Sequence, residues 1–88
     1  MVYVDTLLPC LKNKHWRFDK SCHLFADSVD ELKTFAKGIG LKASWYQNHK
    51  RLPHFDLTAN MRKKAVRHEA REVNERFVYE YITRGEKR

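Results

Sequence analysis

A chain of 88 residues buries only ~60% of the surface that its unfolded form exposes, which leaves room for one economical core and no second domain. With 42% hydrophobic residues, including two tryptophans, four tyrosines and five phenylalanines, general disorder is excluded, and no apolar run approaches the ~20 residues that span a bilayer. The net charge of +7 is carried by residues 1–68, which hold 13 Lys/Arg against 6 Asp/Glu, while residues 69–88 hold 5 of each; such a field attracts phosphates, acidic proteins or anionic surfaces without choosing among them.

In chain order, "VYVD" at 2–5 has strand-forming residues and ends in Asp5. Residues 9–21, "PCLKNKHWRFDKS", lack helical or alternating periodicity and predict a basic loop bearing Trp16 and Phe18. "CHLFA" at 22–26 is a second strand. Ser28 with Glu31 three residues on matches a capping box, and Val29, Leu32, Phe35, Ala36 and Ile39 form one apolar helical face that Gly38 and Gly40 end. Trp45 and Tyr46 follow, with Trp45 expected in the core because large aromatics dominate small cores. "HFDL" at 54–57 is a third strand, and Thr58 suits the N-cap of a helix through "ANMRKKAVRH", with Met61, Ala65 and Val66 inward and Arg62, Lys63, Lys64 and Arg67 outward. Residues 69–83 fit either one continued helix or a short strand at "AREV" with Asn74 capping a last helix; the break is preferred, with 84–88 frayed.

The expected fold is therefore α/β in the α+β sense: one domain over 1–88, with a short three- to four-stranded sheet packed with two to three helices. Cys10 and Cys22 form neither a CxxC pair nor a disulfide framework, so both are expected as thiols, Cys22 in the core. The start of the chain lacks the basic-then-apolar pattern of a signal peptide, and a soluble, cytoplasmic protein is expected.

"VYVD", "CHLFADSVDELKTFAKGIGL", "WYQ" and "HFDLT" before a basic helix together resemble the small bacterial and phage proteins grouped as domain-of-unknown-function family 4031, over roughly residues 2–73. The resemblance implies a single compact domain of phage or bacterial origin, cytoplasmic in the host cell, and brings no established activity. Members of that family tend to carry a Gly-Ala pair after the basic helix, where this chain has Glu69-Ala70.

Two constellations carry chemistry. Asp5, Asp27 and Asp56 each lie near the end of an expected strand; were those strands parallel, their carboxyl ends would gather at one edge. With His23 and His54 they form a candidate cluster for magnesium, manganese or zinc, and a metal-dependent phosphoesterase or nuclease is the corresponding enzyme. The plain alternative is that Asp27 and Asp56 favour helix starts and His23 is a satisfied core histidine. The second set is basic and aromatic: Lys12, Lys14, His15, Trp16 and Arg17, then Trp45, Tyr46, His49, Lys50 and Arg51, then Arg62, Lys63, Lys64 and Arg67. Cations that neutralise phosphates beside rings that stack on bases suit nucleic acid or a nucleotide, although nothing here reads base sequence. Its plain alternative is a solvated face.

Ser21, Ser28 and Ser44 lack a nucleophile-elbow context, and "GIG" closes a helix where a phosphate-binding loop would open one. No motif fixes a reaction. The leading expectation is a small binding module for a phosphate-bearing ligand, without catalysis. The metal-dependent phosphodiester hydrolase is the alternative, and a phage effector that binds an acidic host protein is a third; no membrane partner is expected.

Overall fold

The computed structural model describes residues 1–14 and 16–86. The chain forms β1 (Val2–Val4), β2 (Leu8–Pro9), β3 (Lys20–Ala26), α1 (Val29–Gly38), β4 (Phe55–Leu57), α2 (Ala59–Arg67), β5 (Arg71–Glu72) and α3 (Glu75–Glu86), with a 3-10 turn at Ala43–Trp45. This is an α+β fold: five strands in one mixed sheet, with three helices. α3 runs to Glu86; of the frayed end expected at 84–88, residues 87 and 88 lie outside the described residues.

β3 organises the sheet. On one edge it pairs antiparallel with β1 (Val2↔Ala26, Val4↔Leu24) and then with β2 (Leu8↔Ser21), and on the other it pairs antiparallel with β4 (Cys22↔Leu57, His23↔Asp56). Between Val4↔Leu24 and Leu8↔Ser21 the register slips by one residue, so the first chain segment bulges beside Asp5, Thr6 and Leu7. β5 is parallel to β1. The strand ends therefore do not gather as parallel strands would gather them. Because neighbouring strands run in opposite directions, the end of β1 meets the middle of β3, and the end of β3 lies at the opposite side of the sheet.

Alternation along the strands divides the core into two layers. Val2, Val4, Cys22, Leu24, Ala26, Phe55 and Leu57 face α1 and α2, joined by Leu32, Ala36, Ile39, Leu41 and Ala65. Tyr3 and Phe25 face the other way, where Leu52 and the α3 residues Phe77, Val78, Tyr81 and Ile82 cover them. Each large side chain taken fully out of water contributes ~1.5–3 kcal/mol before entropy is counted. Trp45, expected inside, is 51% exposed: it sits on the short 3-10 turn with the Lys42 ammonium 5.5 Å from its ring centre, and the smaller Leu41 fills the core just before that turn.

The helix boundaries follow local signals. Ser28 Oγ accepts from Glu31 N and Thr58 Oγ1 accepts from Met61 N, each at 3.2 Å. α1 closes with Gly40 at φ 90, its N–H on the Lys37 carbonyl and the Leu41 N–H on that of Ala36. α2 closes in the same way on Glu69 at φ 76, with the Glu69 N–H on Val66 and the Ala70 N–H on Ala65. Glycine takes this left-handed position without strain; glutamate takes it at a cost. Asn74 Oδ1 accepts from Phe77 N at 3.0 Å, so the break after α2 is present and the last helix is separately capped.

Candidate metal centre

The odd-numbered face of β3 is only partly roofed by α3. Phe25 lies under Phe77 and Tyr81, but His23, two residues earlier, is 43% exposed at its side chain. The strand pairing sets Asp5 beside it on one edge and Asp56 directly across on the other. His54 is two residues before Asp56 and so projects to the same side, its ring meeting that of His23 edge-on at 4.7 Å. Among the described residues, one ligand atom each from His23, His54 and Asp56 come within 4.8 Å of one another.

The hydrogen bonds determine which ring nitrogens remain available. Asp5 Oδ1 accepts from the His23 backbone N–H at 2.6 Å, and Asp5 Oδ2 lies 2.7 Å from His23 Nδ1. His54 Nδ1 lies 2.6 Å from the Leu52 carbonyl oxygen, an acceptor, so that nitrogen carries the proton and Nε2 is the free lone pair, 3.5 Å from Asp56 Oδ1. Both imidazoles are thus held at Nδ1 by an oxygen, which fixes the ring and leaves Nε2 for a ligand, as in metal sites whose histidines are oriented from behind. Gln47 Nε2 donates to Asp56 Oδ2 and turns that carboxylate in the same manner. Leu52, buried in the α3 layer, anchors the carbonyl that orients His54.

The electrostatics of the two histidines diverge. The hydrogen bond that His23 Nδ1–H donates to Asp5 raises the pKa of His23 above its ordinary value, against the opposing effect of burial. Burial pushes His54 below its ordinary value, and the charge of His23 adds to that effect. Cys22, whose side chain faces the α1/α2 layer, is pushed up to about 12 by burial first and the Asp5 charge second, so it is an inert thiol.

The donor set fits a divalent ion. Two neutral imidazoles with one carboxylate suit zinc or a neighbouring first-row ion better than magnesium. Tetrahedral ligands at ~2.1 Å from a metal stand ~3.4 Å apart, so the widest separation in the cluster, 4.8 Å, must close by about 1.4 Å on binding. Three protein ligands leave at least one position open.

Of the five metal candidates, His23, His54 and Asp56 converge; Asp5 stands behind His23 as its hydrogen-bond partner; Asp27 is elsewhere. At the far end of β3, Asp27 accepts from the Tyr3 hydroxyl at 2.9 Å and pairs with the chain's amino group at 3.4 Å. Of the phosphate candidates, Arg62 points inward: its Nε donates to the Asp5 carbonyl and its Nη1 to Glu72, both at 2.9 Å, so it braces the bulge beside the site. Lys64 is half-buried, with its Nζ over Gly40. Lys14, Arg17, Lys50, Arg51, Lys63 and Arg67 are exposed and Trp16 is half-buried; His15 lies outside the described residues. Sequence reasoning missed Gln47, although "WYQ" belongs to the pattern of the resemblance, and it put His49 with the basic set, whereas its ring centre is 6.2 Å from that of His54.

A sheet face that carries a His-His-Asp cluster, each member oriented by a neighbour, defines a small α+β domain with a candidate metal site. The family model for a "Protein of unknown function (DUF4031)" matches residues 2–85, and the chain belongs to that family. No curated protein and no solved structure gives a significant match. No helix among the described residues is long and apolar enough to cross a membrane.

Proposed function

We propose that the domain holds a divalent metal ion, zinc or manganese in preference to magnesium, between His23, His54 and Asp56, and captures a phosphate-bearing ligand, nucleic acid or a nucleotide, at the ion's open position. The observation that carries this reading is the pair of histidines tied at Nδ1, by Asp5 and by the Leu52 carbonyl, with His54 Nε2 3.5 Å from Asp56 and one ligand atom of His23 within 4.8 Å of both. A structural histidine needs only one satisfied nitrogen; two of them held this way around a carboxylate is the pattern that ligation requires. The net charge of +7 supports an anionic ligand.

Hydrolysis is the second reading, favoured by the open coordination that three protein ligands leave. A metal in such a site lowers the pKa of its water toward 7 and supplies a nucleophile against a phosphodiester. Calorimetric titration of chelator-treated protein with zinc, manganese and magnesium tests the binding reading. One equivalent of zinc should bind to the wild type and fail to bind to His54→Ala and Asp56→Asn. If the wild type takes up no zinc, or both variants bind it unchanged, the reading is wrong. Phosphodiester turnover by the zinc-loaded protein, absent in the same variants, separates hydrolysis from capture.

A further inference from the structure

The segment expected as a basic loop is a hairpin arm. β2 and β3 pair at Leu8↔Ser21 and Pro9↔Lys20, the Cys10 N–H donates to the Asp19 carbonyl at 2.8 Å, and Asn13 and Trp16 exchange both backbone hydrogen bonds at 2.8 and 3.2 Å. These pairs share one register, so Lys12 stands across from Arg17 and Leu11 across from Phe18, with Lys14 at the tip. The two sides of the ribbon therefore differ. Trp16 and Phe18 share one side, their rings 5.5 Å apart and edge-on, with Phe18 53% and Leu11 91% exposed. Arg17, between those aromatics in sequence, and Lys12 take the other side, and both are exposed. Residues 10–20 contain four Lys/Arg against one aspartate.

We infer that this arm is a binding surface for single-stranded nucleic acid, which it leads to the His23–His54–Asp56 cluster. The inference deepens the proposed function and rests on it for the destination of the strand. Three arguments select the ligand. Charge selects a polyanion. Length favours an oligonucleotide over a mononucleotide: Arg17 is six residues before His23, and the chain between them, bent at Asp19 and extended from Lys20, spans at most about 20 Å at ~3.3 Å per residue. That distance spans about six nucleotides at a rise of ~3.4 Å each. The separation of cationic and aromatic sides selects a single strand, which can lay phosphates along one side and turn unpaired bases onto the rings of the other; a duplex keeps its bases stacked within itself. Trp16 is held for such a role by its Nε1–H, which donates to the Lys20 carbonyl at 3.3 Å.

The test is fluorescence polarisation of the full chain with a labelled oligothymidylate of ~12 nucleotides, titrated at several salt concentrations, with the matching duplex and anionic lipid vesicles as competitors. The oligothymidylate should bind more tightly than the duplex. Trp16→Ala and Phe18→Ala should each weaken binding ~5–150-fold while keeping the salt slope. Lys12→Ala/Lys14→Ala/Arg17→Ala, which changes only exposed side chains, should lower that slope by about 2. All of these variants should take up zinc as the wild type does. Absence of oligonucleotide binding at low salt, equal affinity in the aromatic and basic variants, equal binding of duplex, or capture of vesicles in place of oligonucleotide would each overturn the assignment. His54→Ala distinguishes the two ideas: loss of zinc with oligonucleotide binding retained leaves the arm in place whatever becomes of the metal reading.

Discussion

The carboxylate of Asp5 makes two contacts that an amide cannot both reproduce. Its partners, the His23 backbone N–H at 2.6 Å and His23 Nδ1 at 2.7 Å, are both donors when Nε2 is the ligating nitrogen. Asp5→Asn supplies one acceptor oxygen and one donor NH2, so one of these contacts becomes donor against donor. If the amide oxygen stays on the backbone N–H, the NH2 faces Nδ1 and moves the ring proton to Nε2, which removes the lone pair the metal needs. If it turns the other way, the backbone N–H loses its partner at a cost of ~1–3 kcal/mol. The side chain of Asp5 is only 12% exposed, so water does not readily repair either arrangement. Zinc affinity should therefore fall ~10–100-fold, equivalent to ~1.4–2.7 kcal/mol, as it does when an outer partner of a ligating histidine is removed. The assay is calorimetric zinc titration of wild type and Asp5→Asn, with circular dichroism confirming that the variant is folded. A folded Asp5→Asn protein that binds zinc with wild-type affinity would refute the role of Asp5 and the tautomer assignment with it.

Glu69→Gly should stabilise the protein by about 1 kcal/mol, because relief of the left-handed position is worth ~1–2 kcal/mol and the added freedom of glycine when unfolded returns part of it. The thermal midpoint should rise by ~4–8 °C, and an unchanged or lowered midpoint counts against the strain. In chelator-treated protein, NMR titration should place the His23 imidazole above the ordinary 6.5 and His54 below it. The raised group stabilises the fold fully below pH 6.5 and loses that contribution as pH climbs through its folded value. The lowered group stabilises above pH 6.5 and loses its contribution as pH falls through its folded value. Their joint contribution is thus greatest near 6.5, and shifts in the same direction for both rings would contradict the geometry. Alkylation of the native protein near pH 8 should modify Cys10 and spare Cys22, whose thiol is pushed up to about 12; mass spectrometry showing two equivalents added at equal rates would show Cys22 to be open.

The local features were legible in the residues. Ser28 before Glu31, Thr58 before Met61 and Asn74 before Phe77 carry their capping oxygens within one turn of the amides they satisfy, so the start of each helix is written within four residues. The strands around Tyr3, Leu24 and Phe55 were visible as short apolar runs, and the cap at Gly40 as a glycine after a helical face. His54 and Asp56 could be placed on one side of a strand by their spacing of two. What an isolated strand cannot state is the direction of its neighbours, because alternation is the same whichever way a partner runs. Three acids at three strand ends were therefore equivalent in the sequence. Antiparallel pairing around β3 brings Asp5 and Asp56 to His23 and carries Asp27 to the far end of the sheet.

The sequence by itself thus determined the helix limits, the basic field, the α+β composition and the types of residue from which a site could be built. Tertiary structure decided the site: that Asp5 orients His23, that Gln47 joins Asp56, that Arg62 turns inward to the bulge, that Trp45 stays in solvent, and that the basic loop is an arm leading into the strand that bears His23. The reason is one of range. Caps and turns are hydrogen bonds closed between residues three or four apart. The cluster is closed by strand pairing across 18 residues between Asp5 and His23, a distance over which no local preference acts.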